Sequence, residues 1–139
     1  MTDCVFCLPL VEPYVVLSDE HCYTTFTHDT GTPAGSAMIL PRAHRPTVFD
    51  LTPDEWASTR TLLHRMRALI TELHGPDGWN VGWNTQPTGG QSIPHAHCHL
   101  VPRYHDEPLA GRGIRSWIKD PDNRPPHHAP ADPAAWYGN

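Results

Sequence analysis

The 139-residue chain contains no apolar run approaching the roughly 20 residues that span a bilayer. Its first residues lack the basic segment and following apolar stretch of an export signal. The expectation is a cytoplasmic protein with no membrane partner. Positive charge is not in excess either: the formal net charge is −5, so no broad basic field exists to hold a nucleic-acid polymer by its backbone. Any phosphate must be gripped locally. Four cysteines without an export signal do not make a disulfide framework and read better as free thiols or metal ligands. Internal repeats are absent as well.

Eleven histidines and sixteen prolines are what the chain has in excess. The prolines mark loops and the tail. After Cys4-Val5-Phe6-Cys7, the runs Tyr14-Val15-Val16-Leu17 and Cys22-Tyr23-Thr24-Thr25-Phe26-Thr27 are rich in β-branched and aromatic residues around Ser18-Asp19-Glu20, which predicts a hairpin. A Gly/Pro-rich loop over 30–36 leads into a short buried strand, Ala37-Met38-Ile39-Leu40, that Pro41 stops. Thr52-Pro53-Asp54-Glu55 is a capping box with proline at the first helical position, and Gly75-Pro76 is a stop, so a helix is expected over about 53–73. Its apolar stripe is read as Trp56, Leu63, Met66, Ile70 and Leu73, with Arg60, Arg65 and Arg67 outward. Trp79 to Asn84 and Ala96 to Val101 read as strands, the second ending at Pro102-Arg103. Residues 1–119 then form one domain, and the Pro-rich 120–139 a tail without a packed element of its own unless Trp136 and Tyr137 anchor it.

Residues two apart on a strand share a face, so the strand reading puts His95, His97 and His99 in one row at a spacing of roughly 7 Å. Three imidazoles are hard to bury as core, since each ring has two nitrogens to satisfy. Such a row suits three neutral metal ligands, or a nucleophile, because histidine attacks as the free base near neutral pH. Gly89-Gly90-Gln91-Ser92 directly before the triad favours the nucleophile: glycines let backbone N–H groups approach an anionic oxygen, and Gln91 and Ser92 add an amide and a hydroxyl.

Asn84 followed by Gly89-Gly90-Gln91-Ser92-Ile93-Pro94-His95-Ala96-His97-Cys98-His99-Leu100-Val101-Pro102-Arg103 resembles the signature of the histidine-triad (HIT) superfamily, and the Gly-Gly-Gln-Ser run is most similar to its Hint-like branch. Phe26-Thr27-His28-Asp29 and Ile39-Leu40-Pro41-Arg42-Ala43-His44 extend the likeness upstream, so that roughly residues 4–104 are covered. The resemblance implies a small α+β fold, an antiparallel sheet of about five strands with one long and one or more short helices, usually a homodimer. It also implies an enzyme: a nucleotide hydrolase or nucleotidyl transferase acting at an α-phosphorus, most naturally releasing a nucleoside monophosphate from nucleoside phosphoramidates or adenylated small molecules. Dinucleoside polyphosphate hydrolysis, or a non-hydrolytic nucleotide-binding or repurposed biosynthetic role, is the alternative. Carried onto this chain, His97 becomes nucleotidylated, His99 contacts the phosphate and Ser92 assists the leaving group. Gln91, Gly90 and Asn84 position the phosphate and its loop, and Asp29 holds the ribose.

Cys4-x-x-Cys7 supplies half of a tetrahedral zinc site, two buried core cysteines being the other reading. In zinc-containing proteins that this chain resembles, the positions of His44 and His95 complete the set, which implies structural Zn(2+) on Cys4, Cys7, His44 and His95. Cys22 and Cys98 read as core thiols. Arg112 and Arg115, after the triad, can extend a phosphate site or sit in a solvated loop.

Overall fold

The computed structural model describes residues 3–28 and 31–123, which form an α+β unit. Strands β1 (Val15–Ser18), β2 (Cys22–Phe26), β3 (Ala37–Pro41), β4 (Gly78–Trp83) and β5 (Cys98–Arg103) make one antiparallel sheet in the order β1-β2-β3-β5-β4. Helix α1 (Pro53–His74) is the one long helix, and α2 (Arg115–Ile118) a single turn. The long connection through α1 lets β5 slot between β3 and β4.

Helix α1 begins and ends where its signals place it. Thr52 accepts from the Glu55 amide while Glu55 Oε1 accepts from the Thr52 amide at 2.8 Å, and Gly75 closes the helix at φ 57°. The buried face keeps Met66 and Ile70 of the expected stripe, with Leu63 half-buried against the core, but adds Glu55, Ser58, Thr59 and Leu62, whereas Trp56 and Leu73 are exposed. Polar positions can enter the face because each is satisfied. Ser58 donates to Asp19 at 2.6 Å, Thr59 to the Glu55 carbonyl at 2.7 Å, and Glu55 accepts from Arg45 at 2.9 Å. Leu62, Met66 and Ile70 pack on Cys22, Ala37, Ile39, Cys98 and Leu100. Burial raises the Cys22 thiol and pushes Cys98 up to about 12, so both are inert core groups.

The opposite face of the sheet is covered by the N-terminal segment, where Val11, Tyr23 and Leu40 pack with Phe6, Val15 and Met38. The Tyr23 hydroxyl donates to the Phe6 carbonyl and anchors that segment.

Two prolines lie inside strands that they were expected to end. β3 includes Pro41, paired with Cys22, and β5 runs through Pro102, paired with Trp79. Pro102 lies past the last β3 pairing, Ala37 with Leu100, so no neighbour on that side needs its missing N–H. A second difference matters more: β5 starts at Cys98, so His95 and His97 precede it. Ile93 accepts from the His95 amide at 2.8 Å, and the Ala96 amide donates to the Arg45 carbonyl at 2.6 Å, which replaces ladder pairing there.

Candidate functional site

His95 turns away from its neighbours. It is fully buried, its Nε2 lies 2.9 Å from the Pro41 carbonyl, and its Nδ1 lies 3.6 Å from both Cys4 and Cys7 Sγ. A carbonyl only accepts, so Nε2 carries the proton and Nδ1 offers its lone pair to the thiols. His44 Nδ1 is 3.3 Å from Cys7 Sγ, and all four ligand atoms of Cys4, Cys7, His44 and His95 lie within 4.8 Å of one another. Tetrahedral zinc with ordinary bond lengths needs sulfur-to-nitrogen edges of about 3.6 Å. The set can hold a metal ion, and it closes four positions with protein, leaving none for substrate. His97 and His99 take no part in this cluster, so a triad serving as one row of metal ligands is not what forms.

His97 is also buried, and its Nδ1 donates to the His95 carbonyl at 2.8 Å. In the neutral ring this tautomer leaves the lone pair on Nε2. The His99 ring stands edge-on at 4.8 Å between centroids, closer than an even strand row would allow. Burial, and then the proximity of His97, hold the His99 imidazole below the usual histidine range, so it is neutral at pH 7. Phe6 packs edge-on to His97 at 5.3 Å and to His95 at 6.1 Å. The sequence reading passed over Phe6, although its place between Cys4 and Cys7 was the signal. A knuckle that docks on His95 carries Phe6 with it.

The loop before the triad is held from inside. Gln91 donates to the carbonyls of Pro46 at 2.7 Å and Ile93 at 3.0 Å, and its Oε1 accepts from the Gln86 amide at 2.8 Å. Both amide hydrogens are thus taken, one by the loop itself and one by the connection between β3 and α1. Ser92 is exposed, with no hydrogen bond from its hydroxyl among the described residues. Gly90 has φ 94°, and a Cβ there would stand 3.6 Å from the Asn84 carboxamide carbon, so this glycine both makes the turn and sits against Asn84. Asp29 lies outside the described residues, as do Trp136, Tyr137 and nearly all of the expected tail.

Beside His99 the sheet opens into a cleft of about 250 Å³ walled by Phe6, Val11, Tyr14, His28 and Met38, with Thr25 on its floor. Thr25 pairs with Met38, and Met38 with His99, so all three share a face and a row. Two strand spacings, about 10 Å, separate Thr25 from His99. The buried Thr25 hydroxyl has no hydrogen-bond partner among the described residues. Arg112 and Arg115 are exposed beyond β5, and Arg112 lends its carbonyl to Arg103.

Comparisons with known proteins agree with this geometry. A family model described as HIT domain matches residues 11–106. The chain is 26% identical over 122 residues to adenosine 5'-monophosphoramidase hnt1 of Schizosaccharomyces pombe, spanning 86% of this chain and 88% of that one. It is 29% identical over 69 residues to the asymmetrical bis(5'-nucleosyl)-tetraphosphatase of the same organism, covering 50% of this chain and 38% of that protein. Among solved structures, a HIT family protein from Bacillus anthracis superposes with a TM-score of 0.68 at 26% identity, over 76% of each chain. On its triad segment, its sheet and this match across most of its length, the chain belongs to the HIT domain family.

Proposed function

We propose that the protein is a nucleotide hydrolase or nucleotidyl transferase that works through a covalent nucleotidyl-His97 intermediate, with nucleoside phosphoramidates or adenylated small molecules as substrates. The observation that carries this is the Nδ1–H of His97 donating to the His95 carbonyl, which leaves the Nε2 lone pair for attack. Nε2 bonds to the α-phosphorus as the bond to the leaving group breaks. The leaving group departs with that electron pair and takes the Ser92 hydroxyl proton, which Ser92 regains from solvent. Water then attacks the phosphorus, the P–N bond to His97 breaks, and a nucleoside monophosphate is released. His99, neutral and edge-on to His97, donates to a phosphoryl oxygen, and the Gly90 segment turns its backbone toward the same charge. Asn84 and Gln91 hold the loop, Asp29 takes the ribose hydroxyls, and the cleft beside His99 receives the nucleoside.

The metal on Cys4, Cys7, His44 and His95 is zinc in this reading, in a structural role, because two thiolates with two imidazoles suit it and no position stays open. Four reduced cysteines, two on the metal and two in the core, fit a reducing cytoplasm. Residues 1–119 act as the catalytic domain and 120–139 as its tail. A homodimer is supported by the edge strand β4, where Trp79 and the exposed Val81 join Leu63, Arg67 and Leu100 around an apolar groove of about 290 Å³.

Hydrolysis of dinucleoside polyphosphates is the second reading, favoured by the similarity to the tetraphosphatase. Initial rates with adenosine 5'-phosphoramidate and with diadenosine tetraphosphate decide between them. A kcat/KM at least about tenfold higher for the phosphoramidate is expected, and the reverse order selects the second reading. Loss of both activities in a folded His97→Ala protein supports the shared intermediate. Full activity in that variant refutes it.

A further inference from the structure

Gln86 is the one residue other than glycine with a positive φ among the described residues, at φ 66° and ψ 160°. That combination is glycine territory, and a side chain is kept there only at a cost in backbone energy. The surroundings hold it in place. Its amide donates to Gln91 Oε1 at 2.8 Å, and its carbonyl accepts from the Gly89 and Gln91 amides, both at 3.0 Å. All three bonds use only the backbone of residue 86, so glycine would make them equally well without the cost. Packing does not explain the side chain either: it is exposed and makes no hydrogen bond among the described residues.

Position supplies a reason. The last pair of β4 with β5 is Trp83 with Cys98, and one step further the two chains carry Asn84 and His97. Gln86 stands two residues beyond, in the loop that packs Gly90 against Asn84 and returns to Ser92. We propose that Gln86 is a specificity-determining residue whose carboxamide donates a hydrogen bond to an oxygen acceptor on the leaving group of a nucleotidyl substrate. The substrate class is thereby narrowed to leaving groups that carry a carboxylate, carbonyl or phosphoryl oxygen beyond the scissile bond. The inference rests on the nucleotidyl-transfer reading of the same site.

The test compares two substrates with one nucleotide: adenosine 5'-phosphoramidate, whose leaving group has no acceptor, and its N-carboxymethyl derivative, which has a carboxylate. In Gln86→Ala, kcat/KM for the carboxylate substrate is expected to fall about five- to tenfold while the unsubstituted one stays within about twofold. Gln86→Gly is expected to show the same selective loss together with a Tm raised by a few degrees, because the backbone cost is gone. Equal losses on both substrates, or no loss, overturn the inference, as does a Gln86→Gly protein no more stable than the parent. A parent protein inactive on both substrates instead removes the nucleotidyl-transfer reading, and the inference with it.

Discussion

The carbonyl oxygen of His95 accepts a 2.8 Å hydrogen bond from Nδ1 of His97. The same His95 presents its imidazole to Cys4 and Cys7, so the backbone that aims one histidine is fixed by a side chain of the Cys4–Cys7–His44–His95 cluster. Two sites that look adjacent in sequence are mechanically one.

Metal removal tests the coupling. Elemental analysis is expected to find about one zinc per chain, and none in Cys7→Ser. Stripping the metal should cost about 3 kcal/mol or more, roughly 10 °C in Tm, because three distant segments lose their shared anchor. Unchanged melting after complete removal would show that the cluster does not brace the fold.

Acid stability follows from two carboxylates. Burial works against the charge of Glu55, but the Thr52 amide and hydroxyl and Arg45 outweigh it and hold the carboxyl below its usual range. Asp19 is lowered likewise, burial being outweighed by the Ser58 hydroxyl and the amides of Cys22 and His21. A folded pKa below the unfolded one means stability that is complete above the unfolded value and is lost as pH falls through the folded one. The share of stability these two carboxylates supply should therefore hold from neutrality to about pH 5 and decline below about pH 4, whereas the lowered His99 imidazole already costs stability as pH falls through the unfolded histidine range near 6.5. Glu55→Gln is expected to cost about 1–2 kcal/mol at pH 7 and to flatten the acid limb of the Tm profile. An acid limb as steep as the parent's would rule Glu55 out as its source.

Arg103 gathers the chain after β5. It donates to both Glu107 oxygens at 2.9 Å, to Asn80 at 2.6 Å, and to the carbonyls of Arg112 at 2.6 Å and Leu109 at 2.8 Å. Lysine lacks the planar fork that meets these acceptors together. Both Arg103→Ala and Arg103→Lys should lose about 2–3 kcal/mol in urea denaturation. A lysine variant as stable as the parent would mean that charge alone suffices.

Thr25 offers the opposite case. Its buried hydroxyl has no partner among the described residues, so Thr25→Val removes an uncompensated polar atom at nearly constant shape. The variant should match the parent or gain up to about 1 kcal/mol by thermal melting. A clear loss would show that the hydroxyl is hydrogen-bonded in solution.

How far the sequence reveals this molecule depends on whether each feature is local. Helix α1 ends within one residue of its expected stop because the Thr52–Glu55 box and Gly75 act over a single turn. The hairpin is legible for the same reason, whereas the joining of five strands into one antiparallel sheet is implied by the family resemblance, since β3, β5 and β4 pair across long stretches of chain. The buried face of α1 was legible only in part, since Glu55, Ser58 and Thr59 are buried only through partners brought in by other elements, such as Asp19 and Arg45. Strict alternation also misplaced the triad: the Arg45 carbonyl takes the Ala96 amide and delays β5 to Cys98. The four-residue cluster was reached through family resemblance, whereas the strain at Gln86 left no trace in composition or periodicity.

The central claim is that a phosphorus–nitrogen bond forms on His97, and intact-protein mass spectrometry of a rapidly quenched single turnover with adenosine 5'-phosphoramidate tests it most directly. The expected result is a transient adduct of one adenylyl group that maps to His97 and is absent from His97→Ala. Turnover without any adduct, or an adduct on another residue, would contradict it.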